Sequence, residues 1–109
     1  MATAYKVLGQ TGDASANNVT LYTCPGSTET IVSTLVIANR EAAANTFRVA
    51  VRPDGATLAV QHYLAFDVSI AANDTLTLTL GITMDASDLL TVGASDANVS
   101  FSLFGSEIS

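Results

Sequence analysis

The sequence has few of the residue types from which enzyme sites and nucleic-acid interfaces are usually built. Its 109 residues include no tryptophan, one histidine, one cysteine and only four lysine or arginine residues. The net charge of −6 argues against nucleic-acid binding, because such binding needs clustered basic side chains that neutralise phosphates. The single cysteine, Cys24, excludes an internal disulfide framework.

Long apolar runs are also missing. No run approaches the roughly 20 apolar residues that cross a bilayer, and the first residues do not resemble a signal peptide. We therefore expect a protein made in the cytoplasm, with no membrane partner. The length predicts one domain over residues 1–109. Much of its apolar content is alanine, so we expect a thin core and further apolar surface buried between the subunits of a homo-oligomer. Composition does not fix the number of subunits, and we favour a trimer.

Eight short runs with strand character follow one another between turn-forming residues. Regular short strands predict an all-β sandwich, jelly roll or barrel, and we favour a single-domain antiparallel β-sandwich of the jelly-roll type. The runs are Tyr5–Leu8, Val19–Cys24, Thr30–Ala38, Thr46–Arg52, Gln61–Ile70, Thr75–Leu80, Leu89–Gly93 and Val99–Phe104.

The segment Thr30–Pro53 holds two of these runs and three of the four basic residues, Arg40, Arg48 and Arg52. Its second run alternates apolar and polar residues, which is typical of a half-buried strand with a polar outer face. The connection between the two runs, EAAAN at 41–45, is too short for a stable helix. It therefore predicts a loose hairpin between two paired strands.

The most regular alternation is TLTLTL at Thr75–Leu80. It places leucines on one face of a strand and threonines on the other, so we expect the leucines in the core. The threonine face could be plain solvated surface or could pack on another subunit. Two other segments are ambiguous: residues 54–60 fit a loop or a short helical turn, and residues 85–88 fit a single helical turn.

Few residues could support catalysis or bind a metal. Cys24 and His62 are the only conceivable nucleophile and base, and such a pair needs a stabilised thiolate and a third orienting group. Asp85, Asp88 and Asp96 could offer oxygen ligands to Ca²⁺, but they lack the glycine-bearing spacing of an EF-hand loop. We expect no enzymatic activity, no cofactor and no metal.

Arg48 and Arg52 are the most informative polar residues of the sequence, because both are expected on the outward face of one strand. Either they pair with a carboxylate on a neighbouring strand, or they form salt bridges to another subunit. We name them, together with Arg40 and Lys6, as candidate interface residues. The terminal segments Ala2–Lys6 and Ser106–Ser109 are candidate arms that bind a larger particle.

Six segments spanning almost the whole chain also carry a family resemblance. They are YKVLGQ (Tyr5–Gln10), LYTCPGST (Leu21–Thr28), VSTLVIANR (Val32–Arg40), TFRVAVRP (Thr46–Pro53), ANDTLTLTLGI (Ala72–Ile82) and VSFSLFGSEI (Val99–Ile108). Together they resemble a family of small virion proteins of tailed bacteriophages. The chain departs from the family's LYTVPA-type turn at Cys24 and Gly26, and it has Ala38 where many relatives have cysteine.

The resemblance implies a non-enzymatic structural component of a phage particle. The first expectation is a capsid decoration, or cement, protein whose partners are itself and the major capsid protein or another virion protein. The alternative is a tail, baseplate or fibre accessory protein that binds carbohydrate. For that alternative, Tyr22, Tyr63 and Phe66 are the candidate contact residues, and each of them could equally belong to the core.

Overall fold

The computed structural model describes residues 2–109, and within them eight antiparallel strands form two sheets. Every run with strand character is a strand, so the all-β prediction is confirmed. The strands are β1 (Thr3–Thr11), β2 (Val19–Thr23), β3 (Glu29–Asn39), β4 (Asn45–Arg52), β5 (Tyr63–Ile70), β6 (Thr75–Met84), β7 (Leu89–Ala94) and β8 (Val99–Ile108).

The two sheets contain four strands each. Sheet A has the order β1-β8-β3-β6, and sheet B has the order β2-β7-β4-β5. Most consecutive strands therefore lie in opposite sheets, and this is the connectivity of a jelly roll, in which two sheets enclose one core. The jelly-roll expectation is confirmed at the level of topology.

The predicted hairpin between β3 and β4 is wrong. β3 pairs with β6 and β8, whereas β4 pairs with β5 and β7 in the other sheet. The connection is instead a crossover held by Asn39, whose Nδ2 donates to the carbonyl oxygens of Ala43 at 2.8 Å and Ala71 at 3.0 Å. Its Oδ1 accepts the backbone N–H of Glu41 at 3.1 Å. A buried amide thus satisfies the backbone at the point where the chain changes sheet.

The ambiguous segments and the chain ends are also resolved. Short 3₁₀ turns form at Pro53–Gly55 and Val60–His62, and residues 85–88 form a turn closed by the Asp88 N–H and the Asp85 carbonyl oxygen at 3.1 Å. The terminal segments pair with each other: the N–H of Ala2 donates to the Ser109 carbonyl oxygen at 2.7 Å, and the reverse bond is 2.9 Å. They are therefore strand ends and not free arms.

The core lies between the sheets and is centred on two aromatic rings. Phe47 of β4 and Phe101 of β8 meet edge to face, with ring centroids 6.4 Å apart. Leu35 and Ile37 of β3 are fully buried beside them. The leucines of β6 pack against this core but are only half-buried, because β6 is the last strand of its sheet.

Candidate interaction surfaces

Arg48 pairs with a carboxylate on the neighbouring strand, which was the first of the two alternatives for this residue. Its Nε donates to Oδ1 of Asp67 on β5 at 2.7 Å, and its Nη2 donates to Oδ2 at 3.3 Å. This fork-shaped contact lowers the pKa of the Asp67 carboxyl group, since the hydrogen bond and the positive charge favour its ionised form. Asp67 can reach the guanidinium because β5 bulges there, and its φ is 52°.

The other three basic residues also have partners within the chain. Arg52 Nε donates to the Ala56 carbonyl oxygen at 2.7 Å. Arg40 Nη2 donates to the carbonyl oxygen of Gly12 at 2.6 Å, so it joins the loop after β1 to the start of the crossover. Lys6 Nζ donates to Glu107 Oε1 at 2.9 Å. All four brace the fold, and their contact with a second subunit stays a prediction.

An exposed aromatic patch surrounds Arg48 on sheet B, and we call it the β5 patch; its residues are Arg48, Tyr63, Leu64, Phe66 and Asp67. Phe66 is 55% exposed, and the Arg48 guanidinium carbon lies 4.2 Å from its ring centroid. Tyr63 meets the same ring edge to face at 4.9 Å. The ion pair and the cation–π contact hold these side chains in one arrangement on the surface.

The outer face of sheet A forms a second surface, which we call the sheet A face. Its cross-strand rows carry uncharged polar and apolar side chains, and among its outward residues only Glu29, at one end, is charged. Tyr5, Val7 and Ile31 are exposed on this face. The rows are Tyr5-Ser106-Ile31-Thr83, Val7-Phe104-Thr34-Thr79 and Gln10-Ser102-Val36-Thr77.

Tyr22, proposed above for carbohydrate contact, does not belong to a surface. It is 7% exposed, and its hydroxyl lies 2.7 Å from Thr30 Oγ1 and donates to Glu107 Oε2 at 2.5 Å. Glu107 therefore links buried Tyr22 to exposed Lys6. Burial, and next the hydrogen bond to the Glu107 carboxylate, raise the pKa of Tyr22, whereas the bonds from Tyr22 and Lys6 lower the pKa of Glu107.

The Glu107 contacts predict a pH-dependent loss of stability in the variant Glu107→Gln. Because folding lowers the pKa of Glu107, its contribution is complete above the unfolded value of 4.5 and disappears as pH falls through the folded value. We expect the free energy of unfolding of this variant to be about 1–3 kcal/mol lower than that of the unmodified chain at neutral pH. Urea denaturation should show this difference shrinking below about pH 4.

The matched control is Glu29→Gln, which changes an exposed carboxylate on β3. We expect it to alter the free energy of unfolding by less than about 0.5 kcal/mol. If Glu107→Gln lowers the free energy of unfolding equally at neutral and acid pH, the ionised Glu107 carboxylate does not stabilise the fold as proposed.

A shallow depression of about 350 Å³ lies at the end of the sandwich where β3 begins and β8 ends. It is lined by Glu29, Thr30, Ile31, Thr83, Met84, Asp85, Asp88 and Ile108. The Asp88 carboxylate is occupied by the backbone N–H groups of Asp54 and Asp85, at 2.8 and 2.9 Å. Among residues 2–109, no three His, Cys, Asp or Glu side chains are grouped as a metal site.

Cys24 and His62 each have local structural contacts. The Cys24 thiol is buried, 3.2 Å from Thr30 Oγ1 and 3.3 Å from the Thr28 carbonyl oxygen. His62 Nδ1 accepts the Ala59 N–H at 3.0 Å, within the turn before β5. Asp96 holds a turn in the same way, by accepting the N–H of Asn98 at 2.8 Å.

No helix within the described residues is long and apolar enough to cross a membrane. No protein-family model matches the chain, and no curated protein matches it. The resemblance to tailed-phage virion proteins therefore stays a prediction.

One solved structure with a similar fold is that of a virus. A chain in the structure of infectious bursal disease virus Gx strain matches 97% of this chain with a TM-score of 0.55 and 15% identity. The present chain spans 32% of that chain, about a third of its length. Two crystal structures of a pentameric capsid protein isolated from metagenomic phage sequences match 96% of this chain at 20% identity, with TM-scores of 0.34. The matches cover 58% and 60% of those chains.

The chain is thus an eight-stranded jelly-roll sandwich of a kind found in a virus structure.

Proposed function

We propose that this protein is a non-enzymatic structural component of a phage particle and that it decorates the capsid. The observation that carries the proposal is the jelly-roll fold, which is similar to a chain of a virus structure over 97% of the present chain. The resemblance of six sequence segments to tailed-phage virion proteins supports the same assignment. Under this proposal, the protein is located in the virion.

The surfaces suit a protein that works by contact. The sheet A face has one charged outward residue, at its end, and the β5 patch presents Phe66 beside Leu64. Burying such apolar surface against neighbouring molecules is favourable. A protein that binds only the assembled shell stabilises that shell by mass action.

The exposed apolar side chains also support the expectation of a homo-oligomer. They belong to both sheets, with Tyr5 and Val7 on β1 and Leu64, Phe66 and Val68 on β5. A subunit of this size gains by covering them with other copies of itself or with the major capsid protein. The trimer favoured above remains part of this proposal.

The thermal stability of particles that lack the protein tests the decoration role. We expect particles from a phage deleted for the gene to release their genome at a lower temperature than wild-type particles. Purified protein added back should bind them and restore the release temperature. Unchanged release, together with no binding of the added protein, would contradict a decoration role.

A tail or fibre accessory protein that binds carbohydrate is the second candidate. Tyr63 and Phe66 lie together at the surface, as sugar stacking needs. However, the Arg48 guanidinium already covers one face of the Phe66 ring, and Tyr22 is buried. The decoration role is therefore favoured over the carbohydrate-binding one.

A further inference from the structure

The free edge of β6 differs from the other sheet edges of this protein. Within the described residues, β1 and β6 end sheet A, and β2 and β5 end sheet B. An edge strand presents unpaired N–H and C=O groups that can pair with another chain. Proteins usually block such pairing with short strands, charges, prolines or bulges.

Three of the four edges carry such blocks. β1 has Lys6 near its middle and an irregular register between Val7 and Gly9. β2 is only five residues long and is also irregular. β5 contains Asp67 and two irregularities in its pairing with β4. These edges are poor templates for an added strand.

β6 has no such block over Thr75–Thr79, where residues 75–79 pair in unbroken register with residues 34–38 of β3. The strand bulges after this stretch, at Leu80 and Gly81, because Thr79 pairs with Thr34 and Ile82 pairs with Val32. The segment contains no charge, no proline and no glycine. Its threonines are exposed, and its core-facing leucines are only half-buried at the end of the sheet. Alternating leucine and threonine also favour the extended conformation.

We propose that Thr75–Leu80 pairs antiparallel with the same segment of a second copy of this chain. The pairing joins two sandwiches through one continuous sheet. It deepens the proposed function, on which it rests, by naming a two-fold contact between copies of the chain, which is distinct from the contacts of the proposed trimer.

The sequence of the segment is complementary to itself. Residues directly opposite in an antiparallel pair point to the same face of the sheet. When the two copies pair in a register centred on Leu78, Leu76 lies opposite Leu80 on the core side and Thr77 lies opposite Thr79 on the outer side. The half-buried leucines of both copies then cover one another.

Charge also favours a second copy in this position. The chain carries a net charge of −6, yet the segment is neutral and only its flanks, Asp74 and Asp85, are acidic. In a register centred on Leu78, Asp74 lies opposite Ile82, so the acidic flanks do not face each other. Two acidic subunits can therefore meet here without direct repulsion between opposite residues.

The neighbouring edge adds apolar surface on the same side of the sandwich. β5 is the last strand of sheet B and continues into β6 through residues 71–74. Its side chains Leu64 and Val68 are exposed. A second copy docked at β6 therefore approaches apolar side chains as well as unpaired backbone groups.

Sedimentation of charge variants tests the pairing. We expect the unmodified chain to dimerise as its concentration rises. The double variant Thr77→Lys/Thr79→Lys puts like charges opposite each other, and it should weaken dimerisation at least about tenfold. The control Thr57→Lys/Gln61→Lys adds the same charge at exposed positions before β5, and it should dimerise like the unmodified chain.

A complementary variant separates repulsion from misfolding. Thr77→Glu/Thr79→Glu should also be monomeric alone, and mixing it with the lysine variant should restore a dimer containing one of each. In the unmodified chain, hydrogen exchange at backbone amides of residues 75–80 should slow as dimer forms. This second measurement holds whether or not the variants fold.

If the unmodified chain stays monomeric at all concentrations, the pairing is overturned. It is also overturned if the lysine variant still dimerises and the amides of residues 75–80 in the unmodified dimer are not protected from exchange. Neither result bears on the particle experiment above. A monomer that still binds and stabilises the shell would refute the edge pairing and leave the decoration role standing.

Discussion

Replacing Phe101 with alanine is expected to lower the free energy of unfolding by about 3–5 kcal/mol. The ring is 1% exposed and meets Phe47 of the opposite sheet at 6.4 Å between centroids. Its removal leaves a cavity between two hydrogen-bonded sheets that cannot easily collapse into it. Because a domain of this size has only about 5–15 kcal/mol of stability, much of it would be lost. Urea denaturation measures the change.

The matched control is Phe66→Ala, which makes the same chemical change on the exposed β5 patch. It removes the surface contacts with Arg48 and Tyr63 but leaves no cavity in the core, so we expect a loss of about 0.5–1 kcal/mol. If both variants lose the same stability, the core does not lie between the sheets where Phe101 has been placed.

The variant Gly105→Ala is expected to destabilise the fold by about 1–3 kcal/mol or more. Gly105 lies on β8 between Lys6 of β1 and Val32 of β3. A Cβ atom there would meet the Ile31 carbonyl oxygen and stand 3.0 Å from the Val32 Cα. Both are backbone atoms of a paired strand, so they can move only if the sheet distorts.

Gly26→Ala is the control for this glycine. A Cβ atom at Gly26 has no neighbour within 4 Å, so we expect the variant to be neutral or slightly more stable. Thermal unfolding of the two variants gives the comparison. Equal melting temperatures would show that the close approach of β8 to β3 is absent.

The strands could be predicted from the sequence because the signal for each one is local. Phe47 and Val49 are buried and Arg48 between them faces outward, as the alternation of that run indicates. Thr75–Leu80 likewise shows its leucines more buried than its threonines. Alternation of apolar and polar residues shows which face of a strand is buried, and it does so without any knowledge of the strand with which it pairs.

The pairing of the strands could not be predicted in the same way. Nothing near 41–45 reveals that β3 and β4 belong to opposite sheets, because the choice depends on β6, β7 and β8, which follow later in the chain. Whether Tyr22 lies in the core or at the surface could not be decided for the same reason. Its partner Glu107 is 85 residues away, so local sequence does not show that its hydroxyl is satisfied inside the fold.

The interaction surfaces were predicted only in part. The alternative that Arg48 pairs with a neighbouring strand is confirmed, but its partner Asp67 depends on a bulge that no local pattern indicates. The open edge at β6 becomes evident only when the order of the strands is known. The single domain over residues 1–109 stays a prediction.

The proposed decoration role is tested most directly by a cryo-EM reconstruction of the phage that is proposed to encode this chain. A decoration protein gives density for this eight-stranded sandwich at repeated positions on the outside of the head, contacting the major capsid protein. Density for the sandwich only on the tail, or in no part of the particle, would contradict the decoration role.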